Sequence, residues 1–147
     1  MITTVLSSSI PAIQALFVET PSPCVVNPQG IHNPPACPDG VPGGALLPVF
    51  RATSCESVWP EYLATAMDYW APRRHAVYAI LRQPSTTYGW LPASDFAVAL
   101  SDLDPDGWGS AVFVTGDRIT GIAFGCGQPV QGVAAAIASA GYVLPPP

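Results

Sequence analysis

Lysine is missing from this chain altogether; its five cations are all arginines, Arg51, Arg73, Arg74, Arg82 and Arg118. Charge of either sign is scarce. Asp, Glu, Lys and Arg make up 10% of the sequence, where an ordinary soluble domain carries about a quarter. The net charge is −5, and only Arg73 and Arg74 adjoin. A nucleic-acid binder needs clustered cations to displace counterions from phosphates, so nucleic acid is set aside as a partner. Attraction to anionic lipid is disfavoured for the same reason. Two readings fit the missing lysine. One is a surface built to be covered by other subunits, since a surface poor in charge is poorly defended against association. The other is a GC-rich coding bias, which replaces lysine with arginine and enriches Ala, Gly and Pro.

Other absences narrow the field further. No apolar run approaches the ~18 residues of a membrane helix; the stretch from Ile10 to Val18 is short and interrupted by Gln14. Met1 to Thr20 has no Lys or Arg and no clean small-x-small site, so it does not read as a secretory leader. Either a leader has already been removed, or an oxidising location is reached by another route, as a virion component does. The Gly-x-Ser-x-Gly elbow, the phosphate loop and the dinucleotide glycine fingerprint are all absent. His32 and His75 are the only histidines, and neither stands in a metal-type spacing with Cys, Asp or Glu.

What is present begins with four cysteines, Cys24, Cys37, Cys55 and Cys126. Four cysteines allow three connectivities. No two are spaced Cys-x-x-Cys, which removes the usual zinc and thioredoxin-like signatures. Cys24 and Cys37 flank VVNPQGIHNPPA, a segment too rich in Pro and Gly to form a core of its own. Closing that loop removes chain entropy worth roughly 3 kcal/mol, and a Cys55–Cys126 link roughly 4.5 kcal/mol. The expected pairing is therefore Cys24–Cys37 and Cys55–Cys126, in an extracellular or cell-surface protein. With both bridges made, no thiol remains to act as a nucleophile beside a histidine. Four free thiols in a cytosolic protein is the alternative.

Along the chain, residues 1–20 read as an apolar N-terminal arm, with a short helix near Ser9 to Phe17. Residues 21–48 read as an irregular Pro/Gly-rich stapled segment. Residues 49–147 read as the folded core. Leu46 to Phe50 reads as a short strand. Trp59, Leu63, Met67 and Trp70 recur at helical spacing and predict a helix over 57–70, with Ser57 as cap, Pro60 in the first turn and Pro72 beyond its end. Four strands follow: 75–82, 96–101, 111–115 and 118–124. The turn Thr115-Gly116-Asp117-Arg118 carries the glycine that a tight hairpin needs. Val130 to Ala140 reads as a final helix, and Phe124-Gly125-Cys126-Gly127 as tight packing around a disulfide. The expected class is α+β: a single small domain with one helix packed on a four-stranded antiparallel meander, preceded by the stapled loop and the arm.

The sharpest local pattern is Asp102-Leu103-Asp104-Pro105-Asp106-Gly107. Alternating carboxylates before a glycine are how calcium loops gather hard oxygens, which makes Asp102, Asp104 and Asp106 candidate calcium ligands. A full loop closes with Glu at its twelfth position, and here that position is Phe113. The plainer reading is a β-turn whose Asp side chains cap backbone amides. Trp90 and Trp108, with Tyr88 alongside, lie in predicted loops and are candidate ligand contacts. Glu56, Glu61, Asp68 and Asp95 are the carboxylates from which a glycosidase-type pair would have to be drawn.

The reading that the sequence favours is a non-enzymatic structural or interaction domain that associates with copies of itself, as a homo-oligomer or filament. Ile2, Val5 and Leu6 of the arm would add as a strand to a neighbour's open sheet edge. A second reading is a carbohydrate- or protein-binding module using the loop aromatics and calcium. A third is a carboxylate-based hydrolase.

Overall fold

A computed structural model describes residues 15–28, 35–53, 58–61, 75–86, 94–103 and 107–147. The elements are β1 (Thr20–Pro23), β2 (Leu46–Thr53), β3 (Val58–Glu61), β4 (His75–Arg82), β5 (Ser85–Thr86), β6 (Phe96–Asp102), β7 (Trp108–Thr115), β8 (Arg118–Pro129), α1 (Val130–Ala136), β9 (Ile137–Ala138) and β10 (Gly141–Leu144). Eight strands form one mixed sheet in the order β1-β2-β8-β7-β6-β4-β10, with β3 beside β2; β5 and β9 pair separately.

This overturns the expected class. The fold is mostly β, one mixed eight-stranded sheet carrying a single short helix among the described residues, and not a helix on a four-stranded antiparallel meander. The physical reason lies in segments whose local signals lose to backbone pairing. Val58–Glu61 was expected to be helical. It is extended and antiparallel to β2, with Trp59 opposite Ala52. Val58 and Trp59 are β-prone, Pro60 donates no hydrogen bond inside a helix, and a free edge of β2 decides the matter. Residues 62–70 of that expected helix lie outside the described residues. Likewise Pro21 to Pro23, expected to be irregular, belong to β1 and pair with Leu46–Pro48. The final helix stops at Ala136, because Ile137 and Ala138 turn extended to pair with β5.

The strands at 75–82, 96–102, 108–115 and 118–129 do follow one another across the sheet, each antiparallel to the next. β8 pairs on its other side with β2, in parallel, at Ala52–Ile122 and Thr53–Ala123. The β7–β8 hairpin closes on Gly116 and Asp117, with φ +58° at the glycine. Positive φ at the first central residue alone is what a type II′ turn demands.

The two sheet faces are built differently. On one face Phe50, Val98, Leu100, Val112, Val114, Ile119 and Ile122 pack together with Phe17. Phe17 and Phe50 meet edge to face with ring centroids 4.7 Å apart. On the other face Ala79, Ala97, Ala99, Ala111 and Ala123, together with the larger Leu81 and Phe113, pack with Val130, Val133 and Ala134 of α1. The alternation of large and small residues along β6 is thus an assignment of faces: Val98 and Leu100 on one side, Ala97 and Ala99 on the other.

The small face lets α1 approach until no side chain fits between. A Cβ on Gly109 would lie 2.5 Å from the Val130 Cα, and one on Gly125 2.6 Å from the Val133 Cγ2. Gly125 was expected to mark tight packing around a disulfide, whose Cys55 lies outside the described residues; among the described residues its close neighbours are the Gly109 carbonyl of β7 and this helix. Overpacking of this kind costs about 1–3 kcal/mol. Gly109→Ala and Gly125→Ala should each lower the free energy of unfolding in urea by about that much. Gly132→Ala, on α1, meets only the flexible Gln128 side chain. It should be neutral or stabilising, by up to about 1 kcal/mol, because glycine is a poor helix former.

Candidate functional site

Three places carry the residues singled out from sequence: the stapled segment, the far end of the central strands, and the sheet edges.

Cys24 and Cys37 are bonded, with S–S 2.05 Å and Cα atoms 4.9 Å apart. Cys24 is buried beside the start of β2, its N–H donating to the Ala45 carbonyl at 2.9 Å. The Val25 N–H donates to the Pro35 carbonyl and the Cys37 N–H to the Val25 carbonyl. The disulfide and these bonds tie Cys24 and Val25 to Pro35 and Cys37. Cys126 lies in β8 and Cys55 lies outside the described residues, so their expected pairing does too.

At the far end of β6, Asp102 stands directly opposite His75 of β4. Directly opposed residues of an antiparallel pair share a face. That face is the one bearing Leu100 and Val112, so a carboxylate 5% exposed sits at the rim of the large-residue core. Ser110, equally buried, is opposite Leu100 on β7. Asp102 therefore lies on the strand between His75 and Ser110. Strands two apart are separated by about 9.6 Å. A Ser–His–Asp relay needs the imidazole between hydroxyl and carboxylate, and here the carboxylate is in the middle. The arrangement is therefore not that relay.

The same position bears on calcium. Asp102 is withdrawn from solvent in the ladder, while Asp104 and Asp106 lie outside the described residues. No group of three His, Cys, Asp or Glu is placed to hold a metal ion among the described residues. Trp108, at the start of β7, is 40% exposed, and Leu103, just past the end of β6, is exposed too. Tyr88 and Trp90 lie outside the described residues.

The carboxylates considered for hydrolysis are dispersed. Asp95 is exposed before β6, where its Oδ2 accepts a hydrogen bond from the Gly116 N–H at 2.8 Å. Glu61 is in β3, four strand spacings from β6 and hence about 19 Å away in the sheet. Glycosidase pairs need roughly 5–9.5 Å. Glu56 and Asp68 lie outside the described residues.

The end of the arm pairs with its own sheet. The Ile119 N–H donates to the Leu16 carbonyl at 2.8 Å, and the Val18 N–H to the Ile119 carbonyl at 3.0 Å. The Arg118 guanidinium donates to the Ala15 carbonyl at 2.6 Å. Ile2, Val5 and Leu6 lie outside the described residues.

The two edges of the sheet differ, and sequence reasoning missed one of them. On one side β1 and β3 carry Pro21, Pro23 and Pro60. On the other, β10 reads Gly-Tyr-Val-Leu, with Tyr142 50%, Val143 47% and Leu144 43% exposed. Its pairing with β4 shifts register at Val143, a bulge. Among the described residues nothing pairs with its outer edge. Three consecutive β-formers between Gly141 and Pro145 were the available signal.

No helix among the described residues is long and apolar enough to cross a membrane. Comparison with protein-family models, curated proteins and solved structures finds no match for this chain.

Two measurements test this geometry. Replacing both Cys24 and Cys37 by Ser should lower stability by about 3 kcal/mol, read by denaturant unfolding. Asp102→Leu should lower it by at least about 2 kcal/mol, through loss of the buried carboxylate's partners. Millimolar calcium should leave the Tm of the native chain unchanged; a calcium-dependent rise lost in Asp102→Leu would make the turn a metal site.

Proposed function

We propose that this chain is a non-enzymatic structural subunit that associates with copies of itself and works outside the reducing cytosol, at a cell surface or on a virion. The observation that carries this reading is the β10 edge, a strand of exposed apolar residues with its outer backbone open among the described residues. Exposed apolar edges template pairing with another chain. The rest of the chain supports it. No charged residue occurs after Arg118, so two such edges meet without like-charge repulsion. The Cys24–Cys37 disulfide is compatible with an extracellular location.

A second reading rests on Trp108. An exposed indole at the start of β7 suits a carbohydrate or protein ligand. It predicts a saturable change in tryptophan fluorescence with oligosaccharides that Trp108→Ala removes.

The self-association reading predicts a rise in sedimentation-velocity mass above the 15.3 kDa monomer between about 1 and 100 μM, a range set by typical weak contacts. A monomer throughout that range overturns it.

A further inference from the structure

The two edges of the sheet are unequal in a way that selects the kind of assembly. In β1, the Cys24 N–H just beyond the strand donates to Ala45. Pro21 and Pro48 are directly opposite one another. Two prolines facing each other have no N–H to exchange, so theirs is a non-hydrogen-bonded position of the ladder. Residues two apart point the same way. Thr20 and Ser22 therefore bond inward to β2, and the nitrogens of Pro21 and Pro23 point outward. The outward donors of β1 are the ones that proline deletes. β3, which lies along the same side of β2, carries Pro60. This edge cannot accept a full antiparallel ladder.

Among the described residues the opposite edge is not disarmed by proline, although it is four residues long and bulged at Val143. Every residue of β10 keeps its N–H, and Tyr142, Val143 and Leu144 are exposed. With the outward donors present on one edge and deleted on the other, head-to-tail pairing of β10 with a neighbour's β1 is disfavoured. That pairing is the contact that would propagate a filament. An edge paired with a copy of itself across a two-fold axis needs no second edge, and antiparallel strands meet that symmetry with their ordinary hydrogen-bond pattern.

Resting on the self-association reading, we propose that the chain forms a closed two-fold dimer in which β10 pairs antiparallel with β10 of a second copy, centred at Val143, and that the prolines of β1 and β3 stop growth there. Charge supports this occupant: the segment from Ile119 to Pro147 is uncharged, so a second copy of the edge is its electrostatic match. Size supports a weak contact. Four residues, ended by Pro145, bury much less than the ~800 Å² per partner of a standard interface. The dimer is therefore micromolar or weaker.

The test uses the full chain. Sedimentation velocity should show a monomer–dimer equilibrium with no larger species. Val143→Lys places two ammonium groups face to face and should weaken association at least ten-fold; near-UV circular dichroism checks that this exposed change leaves the fold intact. Val143→Cys should cross-link to a covalent dimer on mild oxidation, while Asp117→Cys, at the exposed β7–β8 turn, should not. Pro21→Thr with Pro23→Thr restores the outward donors and should carry assembly beyond the dimer. A wild-type monomer at all concentrations overturns both the self-association reading and this proposal. A dimer insensitive to Val143→Lys, with no cross-link at position 143, overturns the β10 contact and leaves self-association standing. Wild-type species larger than a dimer, or a proline variant that stops at the dimer, overturns the blocked edge.

Discussion

Backbone pairing along both sides of β8 holds together parts of the chain that have little else in common. On one side Ile119 exchanges hydrogen bonds with Leu16 and Val18, and Ile122 and Ala123 pair with β2 further along. On the other side lies β7, and through it β6, β4 and β10. Among the described residues the N-terminal third meets the rest of the sheet through these contacts, the Arg118–Ala15 hydrogen bond and the packing of Phe17 and Phe50. β8 then runs without a loop into α1, so the strand that joins the halves also delivers the helix that covers one face. Parallel pairing between distant segments pays loop-closure entropy before any contact repays it. Here part of that loop is shortened beforehand by the Cys24–Cys37 bridge.

Once β8 is fixed, the two faces follow from side-chain size. The large-residue face receives Phe17 and Phe50 from the N-terminal segments. The alanine face, cleared further by Gly109 and Gly125, receives α1 at close range. A helix of seven residues has little stability of its own, and its packing against that cleared surface holds it. Asp102, His75 and Ser110 are the polar rim of the opposite face. Their order across the strands puts the carboxylate between the imidazole and the hydroxyl.

Much of the central sheet was legible in the sequence. Phe96, Val98 and Leu100 alternating with alanines, and the Gly116-Asp117 turn, announced strands and a hairpin whose local and tertiary preferences agree. The Cys24–Cys37 bridge was legible from the Pro/Gly segment between them, which needs a staple. The helix expected over 57–70 fails at Val58–Glu61, where an open strand edge of β2 competes for the backbone, while Leu63, Met67 and Trp70 lie outside the described residues. β1 was hidden by its own prolines, which read as loop yet sit where an edge strand tolerates them. β10 was hidden because a four-residue strand after a helix carries too little pattern to stand out.

Composition, the cysteine pair, the strand alternation and the hairpin turn were determined by the sequence alone, since each depends on residues near one another or on residue type. Tertiary structure decided everything that depends on which backbone edge meets which. It drew Val58–Glu61 into the sheet, placed Asp102 opposite His75, and set α1 against two glycines. Among the described residues it also left one edge lined by proline and the other without a partner strand. Hydrogen-bond partners across strands are chosen by the assembled sheet, where an unpaired edge outweighs the local preference of a few residues.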